Sequence, residues 1–235
     1  MIWLGIETSN APLSVAIVRD GEVLSEIVQN TKSTHSVTCM PTIEEVFRKT
    51  NLKPVDIDAV AVSEGPGSYT GLRIGVTIAK TLSWTLKKPL VGISSLKVLA
   101  SNVELFDGII CTMFDARRKN VYAAVYKGKE LKTIIPEHHG SLEELLQQLK
   151  EYQETIMFVG SDVKKFKEEI QSVLGEQAKF APPSLNLPRA SKLIELAEKE
   201  PLPTLEMVHS FVPKYHRLAE AEANWLKAHQ KEQKG

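Results

Sequence analysis

Residues 2–28 read IWLGIETSNAPLSVAIVRDGEVLSEIV, three apolar runs separated by two breaks. The first run, residues 2–6, is strand-prone, and Thr8-Ser9-Asn10-Ala11-Pro12 interrupts it with turn chemistry. A second strand begins at Ser14. Asp20-Gly21 then gives a tight hairpin signal that leads into a third strand over residues 23–28. An antiparallel meander is therefore expected at the start of the chain. Downstream, Val37, Met40, Ile43 and Phe47 recur three to four apart and predict a helix from about Thr34 to Thr50. Pro41 lies inside it, lacks an N–H and crowds the carbonyl of Val37, so a kink or restart is expected there. A buried-type strand over 59–63, a helix over 71–86, a strand over 90–93 and a short helix capped by Ser94 or Ser95 complete this half.

From Gly108 the same order returns. Strands are expected over 109–114, 121–126 and 130–135, the last after a Lys127-Gly128 turn. Ser141 and Glu144 form a Ser-x-x-Glu capping box for a helix to about Glu151. A strand over 156–159, a helix capped by Asp162 and ending at Leu174, a short strand near 179–181 and a helix over 189–200 follow. Both halves thus spell β-β-β-α-β-α-β-α. The expected fold class is α/β. Each half resembles the ribonuclease-H-like fold, and the duplication resembles actin, Hsp70 and the sugar kinases. A boundary near residues 105–108 would divide the chain into subdomains 1–106 and 107–235. The second would carry a polar, helix-prone tail in which Trp225 and Leu226 are available to dock.

Composition narrows the function. Lys+Arg and Asp+Glu both number 29, so the formal net charge is zero. Phosphate neutralisation supplies most nucleic-acid affinity, so an autonomous nucleic-acid binder would show a basic excess. A nucleic-acid role here requires a partner or a small local patch. Cys39 and Cys111 are the only cysteines and stand far apart, which favours a reducing compartment over a disulfide framework. Glu7 comes too early for a signal sequence, and no apolar run approaches the roughly 20 residues that span a bilayer. A cytoplasmic protein without membrane contact is expected.

Two segments carry candidate chemistry. Glu7-Thr8-Ser9, with Ser14, ends the first strand and opens the second. In kinases of the duplicated fold this hairpin presents hydroxyls and N–H groups to a phosphate beside an acid. A polar tight turn is the alternative. Glu64-Gly65-Pro66-Gly67-Ser68-Tyr69-Thr70-Gly71-Leu72-Arg73-Ile74-Gly75 joins a buried strand to a helix whose N-terminus favours anions. It lacks the Gly-Lys-Ser/Thr of a Walker loop, and its glycine spacing departs from the dinucleotide fingerprint. A structural turn holding the helix close to the sheet is an equal reading. His35 and Cys39 share a helix face but do not make a closed metal site, and His138-His139 point apart. Asp115-Ala116-Arg117-Arg118-Lys119 is a basic turn between strands.

The run from Gly65 to Lys80, taken with Glu7-Thr8-Ser9, His35-Ser36 and Gly92-Ile93-Ser94-Ser95-Leu96, resembles the TsaB family, also called YeaZ. The resemblance continues through Asp115–Arg118 to Pro213-Lys214-Tyr215. Glu7 stands where the family commonly has Asp, and the tail after Arg217 extends beyond the resemblance. Membership implies a part in forming threonylcarbamoyladenosine at position 37 of tRNAs reading codons that begin with A. The transferase there is TsaD, a paralogue of this family, which holds a metal through a His-x-x-x-His pair. Ser94, Ser95 and Leu96 occupy that neighbourhood here, so a non-catalytic partner of TsaD is expected. It would have no cofactor of its own, ATP and metal being expected in TsaD. Glu7, Thr8, Ser9, Ser14, Gly65, Gly67 and Gly71 would be degenerate phosphate-loop remnants. His35, Met40, Glu44, Phe47, Arg73, Thr77 and Lys80, on or next to the helices over 36–49 and 71–86, would face TsaD. The resemblance further implies the ATPase TsaE in the complex, tRNA contact mainly through partners, and self-pairing through the same helices. Rival readings are an active ATPase or phosphotransferase, a metallopeptidase, and a regulatory homodimer.

Overall fold

The computed structural model describes residues 1–31 and 33–215. Strands β1 (Ile2–Glu7), β2 (Leu13–Arg19) and β3 (Glu22–Gln29) form the expected antiparallel meander. β4 (Ala59–Gly65) and β5 (Leu90–Ser94) add in parallel, giving the order β3-β2-β1-β4-β5. Helices α1 (His35–Thr50) and α2 (Tyr69–Leu86) are the crossovers, and α3 (Ser95–Ser101) follows β5. The second sheet repeats the plan. β6 (Ile109–Asp115), β7 (Asn120–Lys127) and β8 (Lys132–Ser141) make a meander, extended by parallel β9 (Ile156–Val159) and β10 (Ala178–Phe180) in the order β10-β9-β6-β7-β8. Its crossovers are α4 (Leu142–Lys150) and α5 (Lys167–Leu174), followed by α6 (Ala190–Ala197) and α7 (Leu205–Ser210). The molecule is an α/β protein of two ribonuclease-H-like units in the duplicated, actin-like arrangement.

The apolar runs are nearly continuous because both faces of each sheet are covered. On the first sheet, Leu4, Ile6, Val15, Val60 and Val62 pack against Ile43 and Val46 of α1 and Val76 and Ala79 of α2. The opposite face contributes Trp3, Ala16, Ala59, Ala61 and Ile93 to a central cluster. That cluster includes Leu96 and Leu99 of α3, Leu193 and Ile194 of α6, and Ile110 and Phe114 of β6. One core therefore joins the two sheets, with α3 and α6 in the middle layer. α6 lies on the first sheet, crossing β1 and β2. Gly5 permits this, because a Cβ there would stand 2.8 Å from the carbonyl oxygen of Ala190. α7 also returns to the first unit, where Val208 is buried in its outer core.

Several local expectations differ from the structure. α1 passes through Pro41 as one helix without a restart, its apolar side held by Cys39, Ile43, Val46 and Phe47 on the sheet. Ser141 stands at the N-terminus of α4, but its side chain forms no capping bond. β8 runs on to Ser141, so His138 and His139 sit in a strand. The helix expected after Asp162 divides into a 3-10 turn, Val163–Lys165, and α5. The Asp162 carboxylate caps neither, because it accepts from the amide of Asp115 at 3.1 Å and from Asn10 Nδ2 at 3.3 Å. Trp225 and Leu226 lie outside the described residues. Among those described, no helix is long and apolar enough to cross a membrane.

Candidate functional site

The turn after β1 and the loop before α2 meet in the interior of the first unit. Glu7, Thr8, Ser9 and Ser14 are all buried. The Glu7 carboxylate accepts the Ser9 amide at 2.7 Å and the Ser63 hydroxyl. Burial pushes its pKa up to about 7, against the pull of the Ser9 bonds. Thr8 donates its hydroxyl to the carbonyl of Gly71 at 2.8 Å, and the Ser68 amide donates to the carbonyl of Ser9 at 2.6 Å. Ser68 caps α2 by accepting the Gly71 amide. Ser14 turns away and accepts the Ala190 amide at 2.9 Å, capping α6 beside Glu26, which also accepts from Ser191.

The glycines of the loop answer to this packing. A Cβ at Gly71 would collide with the carbonyl oxygen of Thr8, and one at Gly67 with that of Ser9. At Gly75 it would strike the Thr8 hydroxyl. At Gly65, where φ is +119°, it would strike the carbonyl of Lys214. These residues therefore bring the chain's own backbone together, as the structural-turn reading expects. A phosphate placed here would have to displace those protein–protein bonds.

The outward side of the unit is formed by α1 and α2, which pack side by side. Val37 (68% exposed), Met40 (49% exposed) and Glu44 project from α1, and Arg73 and Thr77 from α2. Two of the expected surface residues are engaged elsewhere. Phe47 is 5% exposed and belongs to the core, because its position on α1 turns it towards the sheet. His35 is half-buried, and its Nε2 donates to the carbonyl of Asn10 at 2.7 Å.

Lys80 is not a free surface charge either. Its ammonium donates to the carbonyls of His209 at 2.9 Å and Phe211 at 2.8 Å. It thereby pins a strap, residues 205–215, along α2. His209 lies on Trp84 with ring centroids 3.7 Å apart, and Tyr215 lies against Tyr69 at 5.1 Å while its hydroxyl accepts from Arg73. Lys214 bonds Glu64 twice, through its amide to the carbonyl and through its ammonium to the carboxylate. The sequence reading missed this strap, although the aromatic residues of Phe211-Val212-Pro213-Lys214-Tyr215 in a polar region were a signal. We expect Lys80→Ala to leave the fold intact while removing about 1–2 kcal/mol of local stability. Hydrogen exchange should then accelerate at the Phe211 and Lys214 amides and remain unchanged in β1 and β4.

In the second unit, Asp115 and Asp162 share Lys165, whose ammonium lies 2.8 Å from each carboxylate. Asn10 reaches Asp162 from the first unit and ties the two together. Cys39 is buried in the core, where desolvation pushes its thiol up to about 12; Cys111 is likewise buried and raised. Among the described residues, no three His, Cys, Asp or Glu side chains gather closely enough to hold a metal.

A sequence profile described as "TsaD: tRNA N6-adenosine threonylcarbamoyltransferase" matches residues 22–225. The tRNA threonylcarbamoyladenosine biosynthesis protein TsaB of Bacillus subtilis is 40% identical over 97% of this chain and 99% of its own length. The tRNA N6-adenosine threonylcarbamoyltransferase of the same organism is 34% identical over 61% of this chain and 44% of its length. The solved structure of YeaZ from Pseudomonas aeruginosa shares the fold, with a TM-score of 0.74 at 21% identity over 91% of this chain and 99% of that one. By its 40% identity over nearly the full length of both chains and by the profile match together, the chain belongs to the TsaB (YeaZ) family, paralogous to TsaD.

Proposed function

We propose that this protein is a non-catalytic partner of TsaD, needed for placing the threonylcarbamoyl group on adenosine 37 of tRNAs that read codons beginning with A. One observation carries the reading. The groups that would cradle a phosphate in a kinase of this fold are bonded to one another, with Ser68 N–H on the Ser9 carbonyl and Thr8 Oγ1 on the Gly71 carbonyl. Glu7, with a pKa near 7 and no exposure, is poorly suited to hold a cation there. The chemistry, with its ATP and metal, then belongs to TsaD, and TsaE is the further subunit of the assembly. The relatives named for threonylcarbamoyladenosine biosynthesis supply the pathway.

The paired helices α1 and α2 are the proposed docking face. Val37, Met40 and Glu44 recur at i, i+3 and i+7 on α1, beside Arg73 and Thr77. Apolar side chains ringed by charge are the usual anchors of such a surface. Self-pairing would use the same face and compete with TsaD. Met40→Asp should reduce TsaD binding at least tenfold in a titration by calorimetry, with the thermal midpoint nearly unchanged because Met40 is half in solvent. Unchanged binding would move the interface elsewhere. The deciding test of function is a reconstituted reaction with one protein omitted at a time, read by mass spectrometry of the nucleosides. Product that requires this chain beside TsaD, with none from this chain alone, supports the reading. Full product without it refutes the reading and brings the ATPase alternative forward.

A further inference from the structure

We infer that the turn Arg117-Arg118-Lys119 between β6 and β7 is a contact for the phosphate backbone of RNA. The inference rests on the reading of this chain as a component of a tRNA-modifying assembly and gives it a direct contact of its own. All three side chains are exposed, and all three residues adopt left-handed backbone, with φ of +68°, +53° and +61°. None is glycine. Three successive left-handed residues with side chains are disfavoured and persist only where the surroundings fix them. Here they are fixed. The Asp115 carboxylate accepts the Arg117 amide at 2.7 Å, Asn120 donates its amide to the Arg117 carbonyl at 3.0 Å, and Leu142 donates to the Lys119 carbonyl at 3.1 Å. The Ala116 amide closes the base of the turn on the Asn120 carbonyl.

Of the acids nearby, Asp115 and Asp162 are turned inward, whereas Glu143 and Glu144 in the first turn of α4 are exposed. Asp115 and Asp162 are occupied by Lys165, by backbone amides and by Asn10. Arg117 also acts electrostatically on the Asp115 carboxylate. Lys164, also exposed, follows Asp162 on the adjoining 3-10 turn and extends the patch. A chain of zero net charge thus carries exposed cationic side chains on a rigid frame, at the end of the sheet where Asn10 joins the two units. A polyanion with spaced charges fits such exposed side chains, and its affinity would come from counterion release.

The test is binding of the intact chain to an unmodified tRNA transcript, followed by fluorescence anisotropy at about 50 and about 200 mM salt. Phosphate contacts by Arg117, Lys119 and Lys164 predict an affinity fall of about 20- to 40-fold between those salts. The variant carrying Arg117→Asn and Lys119→Asn keeps residues that tolerate the left-handed conformation while removing two charges. It should bind at least about fivefold more weakly at low salt and lose about 1.5 from the logarithmic salt slope. Lys129→Asn, on the β7–β8 turn at the far end of the sheet, should bind like wild type. Wild type that does not bind the transcript at about 50 mM salt, or a double variant that binds as well as wild type, overturns the inference. Neither result touches the partner reading, which the omission experiment decides separately.

Discussion

Gly71→Ala should destabilise the protein by about 2–3 kcal/mol, seen as a lower midpoint in urea unfolding. In an exposed helix the same change would stabilise by about 1 kcal/mol, since alanine is the better helix former. Position 71 reverses the sign because its α-carbon faces the carbonyl oxygen of Thr8. The added methyl would occupy space held by backbone, which cannot rotate aside as a side chain would. α2 must then retreat from the β1–β2 turn. The bond from Thr8 Oγ1 to the Gly71 carbonyl and the Ser68 bond to Ser9 would lengthen together. Overpacking of this kind typically costs about 1–3 kcal/mol, and the broken bonds add to it. The loss should also carry into partner binding, because α2 is half of the proposed face. A variant as stable as wild type would mean that the turn and the helix are not in close contact.

The same contact shows what the sequence could and could not convey. The element order was legible because each strand is an apolar run and each helix an apolar periodicity, and both survive in one dimension. Residues 2–28 foretell β1 to β3, and the Gly108 restart foretells the second sheet. The spacing of Gly65, Gly67, Gly71 and Gly75 was legible as close approach, but not what approaches. A phosphate and a backbone carbonyl demand the same missing Cβ. Only the bonds from Ser68 to Ser9 and from Thr8 to Gly71 distinguish them.

Misplaced faces have a similar cause. Phe47 follows Met40 by seven residues, yet Phe47 is buried and Met40 half exposed. Seven residues return almost to one helix side, and a neighbouring strand decides which end is covered. Lys80 shows a different limit. Its periodicity places it correctly on the outer side of α2, where the strap takes its charge from 129 residues away. Asp162 shows the same competition, since a good capping residue is diverted by the Asp115 amide and by Asn10 from the other unit.

Glu7→Gln should remove a pH dependence of stability of about 3 kcal/mol. In the folded protein burial pushes the Glu7 carboxyl up to about 7, above its ordinary 4.5. Between those values the folded chain retains a proton that the unfolded chain has released. Stability from this group is therefore fully present below pH 4.5, is lost as pH rises towards 7, and changes no further above it. Glutamine preserves the shape and both contacts: its carbonyl can accept the Ser9 amide and its NH2 can donate to the Ser63 hydroxyl. The variant should match wild type near pH 5 and exceed it by about 2–3 kcal/mol near pH 8 in urea unfolding. Every other ionisable group is common to both proteins and cancels in the difference. Parallel stability curves would show that Glu7 is ionised and well solvated in the folded state. The functional corollary is sharper. A carboxylate that held a metal or took part in phosphoryl transfer would not survive this replacement. A structural Glu7 predicts that the glutamine variant still supports threonylcarbamoyladenosine formation beside TsaD at wild-type yield.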